Sequence, residues 1–414
     1  MNNSRKILSV LILLYIMVLP IFPGKYSFKG IPFNGDIILA LIILIYLISI
    51  ILHKDSRKRF VKGFKDFFTS PLSLFIFAII CIMGISVTYA TDKKIAISET
   101  IRFATYAVLF FIVKYELNER KIIKNILRTY FLTTGVIGVI GIVEYFLGIG
   151  FIQKSETGIR TRVFSTMENS NNLGMFMILI VFPLIMLFLN EKNRRDKHIY
   201  GTLSLIALTN IILSYSRNAW LGFLIGLMVL TLIYSWKIIL GILGIGTVSI
   251  FIPSIFNRLK EFTDISQNMS RVKLWDIALL MIKDHPIKGV GNGNYRVLYD
   301  TYKLKLNKKI EYYPSENFHP HNIFLKIQSE IGVFGLISFL AMMICIFKNI
   351  IYFVRREKGF YGDFYKGFLA SFVAFLCMNF IDNFFSAPKV ISFFWILVAI
   401  LEGIRYKEKV GGLY

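Results

Sequence analysis

About twelve apolar runs, most of them near the length of a membrane-crossing helix, divide this chain, and they constrain it more than any motif does. Roughly 17 to 25 apolar residues of helix cross a bilayer core. The runs lie at Ile7–Phe22, Asp36–Leu52, Leu72–Ala90, Ile101–Lys114, Leu127–Leu147 and Asn172–Asn190 in the first half of the chain. Ile199–Leu213, Ala219–Tyr234, Lys237–Phe251, Ile331–Val354, Tyr365–Phe380 and Lys389–Ile404 follow. With 55% hydrophobic and only 18% charged residues, the chain has too little polar surface to cover a soluble fold of its size. The expected fold is an all-α polytopic membrane protein. Its first run has a basic start but no small-residue cleavage pattern after it, so it is read as a retained span.

A net charge of +23 could suggest nucleic acid, but the basic residues form short clusters between apolar runs, and nucleic acid is not an expected partner. They occupy alternate connections. Arg5 and Lys6 precede the first run; Lys54 to Lys65, Arg120 to Arg128 and Lys192 to Lys197 fill the second, fourth and sixth connections. Arg355, Arg356 and Lys358 precede the eleventh run, and Arg405, Lys407 and Lys409 close the chain. Short cytoplasmic loops accumulate Lys and Arg, so both termini are expected in the cytoplasm. The chain then divides into nine spans (1–254), an extracytoplasmic loop (255–330), and three spans with a cytoplasmic tail (331–414). Cys81, Cys345 and Cys377 fall in apolar runs, which argues against a disulfide framework or a cysteine metal site.

Aromatic and apolar residues run throughout the long loop, which speaks for folded structure. The stretch "SRVKLWDIALLMIKDHPIKGVGNGNY" predicts a helix that begins after Ser270 and stops near His285-Pro286. Its apolar residues are too dense for a solvated helix, so it is expected on the membrane or over a cavity. No strand precedes "GVGNGN", and the glycines read as a structural turn rather than a nucleotide loop.

Candidate chemistry collects at the outer ends of the runs. His319 and His321 stand just before the tenth run, in "FHPHNIFLKIQSEIGVFGL". Arg217 occupies a connection too short to leave the membrane surface, where an arginine either snorkels to headgroups or holds an anion. Arg160 and Arg162 precede Asn169, Asn171 and Asn172; capping of the next helix accounts for one asparagine. Arg102, Glu144 and Asp382 lie near outer helix ends as well, and an Arg102–Glu144 pair is a fair structural expectation.

Together "SYSRNAWLG", "SRVKLWDIALLMIKDHPIKGVGNGNY" and "HPHNIFLKIQSEIGVFGL" resemble three consecutive signature blocks of the O-antigen ligase and polymerase-like membrane proteins, with "RVFSTMENSNNLG" before and "DNFFSAPKV" after. The resemblance implies a glycosyltransferase of the bacterial cytoplasmic membrane, working on its outer face. Its donor would be a polyprenyl-pyrophosphate-linked glycan and its acceptor a hydroxyl group on a glycan, lipid or other carrier. Mapped onto this sequence, it implies that His321 activates the acceptor and that Arg217 and Arg271 hold the pyrophosphate, with Arg162 as a further contact. Asn322 is counted with these arginines among the substrate-binding residues, where it could orient His321, the alternative being a cap on the helix that follows.

The chemistry is compatible with those roles. A departing lipid pyrophosphate needs positive charge, which arginines or a metal can supply. The loop's Asp264, Asp276, Asp284, Glu311, Glu316 and Glu330 show no ligand spacing, so no metal and no cofactor are expected. A neutral imidazole can take the proton of the incoming hydroxyl. The competing expectation, a lipid-linked oligosaccharide flippase or other transporter, would place its charges in a central cavity and has no use for a folded outer loop.

Overall fold

Apolar sequence makes helices here even where isoleucine is dense, as in Gly35–Leu52, because only an intrasegment ladder satisfies the backbone inside a bilayer. The computed structural model describes residues 3–22, 27–28, 31–32, 35–155, 158–240, 265–306 and 319–411, with residues 244 and 256. Its helices are α1 (Asn3–Ile21), α2 (Gly35–Leu52), α3 (Lys54–Phe67), α4 (Pro71–Ser86), α5 (Lys93–Tyr115), α6 (Arg120–Leu147) and α7 (Ser170–Asn190). After them come α8 (Arg194–Leu213), α9 (Arg217–Ile233), α10 (Ile265–Asp284), α11 (Tyr295–Lys305), α12 (Ile323–Arg356), α13 (Gly359–Met378) and α14 (Pro388–Gly411). Two antiparallel hairpins complete the described part: β1 (Ser27–Phe28) with β2 (Ile31–Pro32), and β3 (Phe151–Ser155) with β4 (Gly158–Arg162).

Among the described residues six helices are long and apolar enough to cross a membrane, or seven if α3 and α4, bent by 84°, count as one span. Each expected run from Ile7 to Tyr234 and from Ile331 to Ile404 coincides with a helix. The ninth, Lys237–Phe251, lies largely outside the described residues. One basic connection is more ordered than its sequence suggests: residues 54–67 form the amphipathic helix α3, set across the direction of α4.

At the centre of the bundle is α7, buried on all sides from Leu173 to Leu184 and packed by α8, α9 and α13. An all-round apolar helix is stable only where neighbours enclose it. Basic connections that the sequence placed on one side do meet at one end of the bundle. Arg59 there pairs with Glu116 at 2.7 Å, buried Lys114 with Asp66 at 3.1 Å, Arg120 with Glu357 at 3.1 Å, and Arg405 with Glu402 at 2.7 Å.

At the other end α10 and α11 form a small separate core. Leu274, Ile277, Ala278 and Met281 of α10 pack with Tyr295, Tyr299 and Tyr302 of α11. The α10 apolar face is therefore spent largely inside this unit rather than laid flat on lipid. Its helix starts at Ile265, before the expected Ser270, and stops at Asp284 as the His-Pro pair predicts.

The glycine turn docks this unit onto α12. Val290 and Gly291 donate their N–H groups to the Ser329 and Glu330 carbonyls at 2.8 Å, and Val333 donates to the Pro286 carbonyl at 3.1 Å. These bonds take up the backbone groups that a break at Gly332 (φ 72°, ψ −172°) releases from the α12 ladder. A Cβ on Gly332 would stand 1.9 Å from the Ile287 carbonyl oxygen, so only glycine fits. The expected boundary between loop and tenth run, at 330–331, thus falls inside α12, next to its break.

Candidate active site

His321 owes its place to both ends of a short peptide. Asn322 caps α12, its side-chain oxygen accepting the N–H groups of Phe324 (2.9 Å) and Leu325 (3.1 Å). The Ile323 N–H donates to the Asn379 carbonyl at the end of α13 (3.0 Å), which ties the start of α12 to the turn that carries Asp382. Between the cap and Pro320, His321 adopts φ 46°, a left-handed conformation costly for most residues but visited by histidine. Its N–H donates to His319 Nδ1 at 3.1 Å, and the two rings pack with centroids 4.3 Å apart.

Across the gap, His321 Nδ1 meets Asp382 Oδ1 at 3.0 Å. Burial alone would raise the Asp382 carboxyl, but the hydrogen bond to His321 and the nearby charge of Arg271 are among the influences that outweigh it and hold the group below its usual range. A charged Asp382 accepts the Nδ1 proton and leaves His321 Nε2 as the basic nitrogen. His319 behaves oppositely. Burial, then His321 and Lys326, push its imidazole down to about 3, so it is neutral at ordinary pH with Nδ1 accepting.

Asp382 also connects the histidine to the arginines. Its Oδ2 accepts from the Asn171 amide at 3.1 Å, the Asn171 side-chain oxygen accepts from Arg162 at 3.3 Å, and Arg162 Nε donates to the Ser214 carbonyl at 3.0 Å. Ser214 lies three residues before Arg217, which begins α9 behind the Ser216 cap. Tyr215 between them is another left-handed residue (φ 46°), and Ser165, three residues after Arg162, is a third (φ 53°). Such residues persist where surrounding contacts over-determine them, and here all three border one site.

Arg162, Arg271 and His321 are thus brought together by the fold, and Arg217 opens the helix that follows the Ser214 carbonyl held by Arg162. Asn322 is assigned by its contacts to the helix cap, and the group on the imidazole is Asp382. Of the asparagines, Asn169 caps α7, Asn171 bridges Arg162 to Asp382, and Asn172 turns to Glu168. The expected Arg102–Glu144 pair does not form: Arg102 pairs with Glu99 on its own helix, and Glu144 accepts the N–H groups of Phe164 (3.2 Å) and Ser165 (2.5 Å).

Among the described residues, His319, His321 and Asp382 are the group with ligand atoms close enough to share a cation, within 4.8 Å of one another. The loop acids are not part of it. Asp382 comes from beyond the loop, and one nitrogen of each histidine already carries a protein contact.

Comparison with known proteins points in one direction. The sequence model of the O-antigen ligase family matches residues 202–340, which include Arg217, Arg271 and His321. The chain is 25% identical to the O-antigen ligase of Salmonella typhimurium over 355 aligned residues, covering 80% of this chain and 81% of that protein. It is also 25% identical to a protein of Rickettsia prowazekii provisionally named a polysaccharide ligase, over 94% of this chain and 96% of that one.

Proposed function

Because the chain belongs to the O-antigen ligase family of membrane enzymes, which transfer a lipid-linked glycan to an acceptor in surface-polysaccharide biosynthesis, we propose that His321 is the general base of that transfer. The contact from Asp382 to His321 Nδ1 carries the reading. A carboxylate in that position fixes the tautomer, aims Nε2 outward and stabilises the imidazolium that forms when a proton arrives.

His321 Nε2 takes the proton of the acceptor hydroxyl; the oxygen bonds to the anomeric carbon of the donor sugar as the bond from that carbon to the lipid pyrophosphate breaks. The pyrophosphate leaves with the electron pair. Arg217, Arg271 and Arg162 hold it, because guanidinium forks match phosphate oxygens and gain most as charge develops. Asn322 acts through the cap that holds its neighbour in place.

The donor is a polyprenyl-pyrophosphate glycan, and the reaction is metal-independent, three arginines supplying the charge a cation would bring. Residues 255–330 face the outside, with both termini in the cytoplasm, as the Lys and Arg alternation supports. Purified protein incubated with its lipid-linked donor tests these points. Transfer in excess chelator is expected; loss that manganese or magnesium restores would put a cation among His319, His321 and Asp382. A ladder from donor alone makes the enzyme a polymerase, whereas product that needs a second acceptor makes it a ligase.

A further inference from the structure

A second cavity lies about 30 Å from this site, at the far ends of α7 and α8, each roughly 20 residues long. Its volume of about 880 Å³ is that of a pocket for a sizeable ligand. Two kinds of lining meet in it. Leu132, Val136, Val139 and Ile140 form an apolar wall along α6, each exposed in the described structure. Lys124 and Arg128, one turn apart on α6, line it together with Glu191 at the end of α7 and Asp196 in the first turn of α8.

All four line one cavity, and among the described residues none of them makes an ion pair within 4 Å. Tyr200 lines the cavity as well. One oxygen of Glu191 accepts the N–H groups of Lys192 and Asn193, both at 2.9 Å, which fixes this carboxylate at the turn into α8. From Arg128 to Ile140 the helix rises about 18 Å, close to the roughly 15 Å half-thickness of a bilayer core. Gly135 lets α8 approach at this level, where a Cβ would meet Leu203 Cδ2 at 3.1 Å, and so forms the floor of the groove.

We propose that this groove is a binding site for one zwitterionic ethanolamine phospholipid, its phosphate held by Lys124 and Arg128 and its ammonium by Glu191 and Asp196. The acyl chain lies along Leu132 to Ile140. Charge complementarity selects the occupant: an anionic headgroup gains from the cations but faces two carboxylates, and a choline headgroup has no N–H to donate to them. The orientation proposed above makes this an inner-leaflet lipid, but binding itself does not depend on that orientation.

The test is native mass spectrometry of the purified full-length protein with added dioleoyl phosphatidylethanolamine, phosphatidylcholine or phosphatidylglycerol. One ethanolamine lipid should be retained about 10- to 100-fold more strongly than either competitor, the difference charge-assisted hydrogen bonds supply. Arg128→Glu and Asp196→Lys should each abolish the preference, and Val136→Trp should expel the lipid with the charges intact. Glycan transfer, which these residues do not touch, reports that each variant is folded. Equal retention of all three lipids, a preference for phosphatidylglycerol, or unchanged binding in folded Val136→Trp would overturn the proposal.

Discussion

His321 and Asp382 lie 61 residues apart in the chain, yet Nδ1 of one stands 3.0 Å from a carboxylate oxygen of the other. Two helices, α12 and α13, run the length of the bundle between them and return to the same point. The Ile323 to Asn379 hydrogen bond fixes that return.

Asp382→Asn tests the relationship most conservatively, since the amide keeps the shape and loses the charge. Turnover should fall about 10²-fold, in the range for losing a group that orients a functional histidine, while donor binding stays near the parent value. Equal turnover in the two proteins would make Asp382 a purely structural neighbour.

For Arg217 the discriminating comparison is alanine against lysine. Arg217→Ala should cost about 10²-fold or more in transfer, the scale of a lost charge-stabilising donor. Arg217→Lys should recover part of it, because a point charge remains without the paired hydrogen bonds. If Arg217→Ala turns over normally, the arginine only anchors the chain to headgroups.

His319 links the site to pH. Its imidazole titrates near 3 in the folded protein against an ordinary value of 6.5, so the unfolded chain binds more protons between those limits. Stability from this group is therefore complete above about pH 6.5 and is lost as pH falls toward 3. Thermal unfolding should show a midpoint that drops over this window in the parent and drops less in His319→Gln. A variant curve parallel to the parent would remove His319 from the account.

Gly332 is a mechanical requirement rather than a chemical one. Gly332→Ala must place a Cβ against the Ile287 carbonyl at a left-handed φ, which costs on the order of 1–3 kcal/mol in backbone strain before the clash is counted. The expected outcome is a lower unfolding temperature and proteolysis between α10 and α11. An unchanged midpoint would show that the break can move.

What the sequence made legible follows from the range of each signal. Apolar runs and alternating charge are local, and the helices, the grouping of Arg59, Arg120 and Arg405 at one end, and the stop at His285-Pro286 all appear as read. Helix α3 was hidden because its basic residues read as a loop, whereas its Phe60, Phe64 and Phe67 pack on one another or on Phe111. Asp382 stood out only as an acid at a helix end. Nothing local distinguishes it from Glu144, and the fold alone sends one to His321 and the other to a backbone turn. Asn171 was one of three similar residues, and its bridge needs Arg162 and Asp382 together in space. For Asn322 the sequence offered a site role and a helix cap side by side, and its oxygen meets the first N–H groups of α12.

The most direct measurement compares His321→Ala with the parent protein in a single turnover of purified enzyme with lipid-linked donor and acceptor, alongside donor binding by each. Transfer should fall roughly 10²- to 10⁴-fold, as for loss of a general base, with donor affinity preserved. Transfer at the parent rate, or a loss explained wholly by weaker donor binding, would contradict the role of His321 as base.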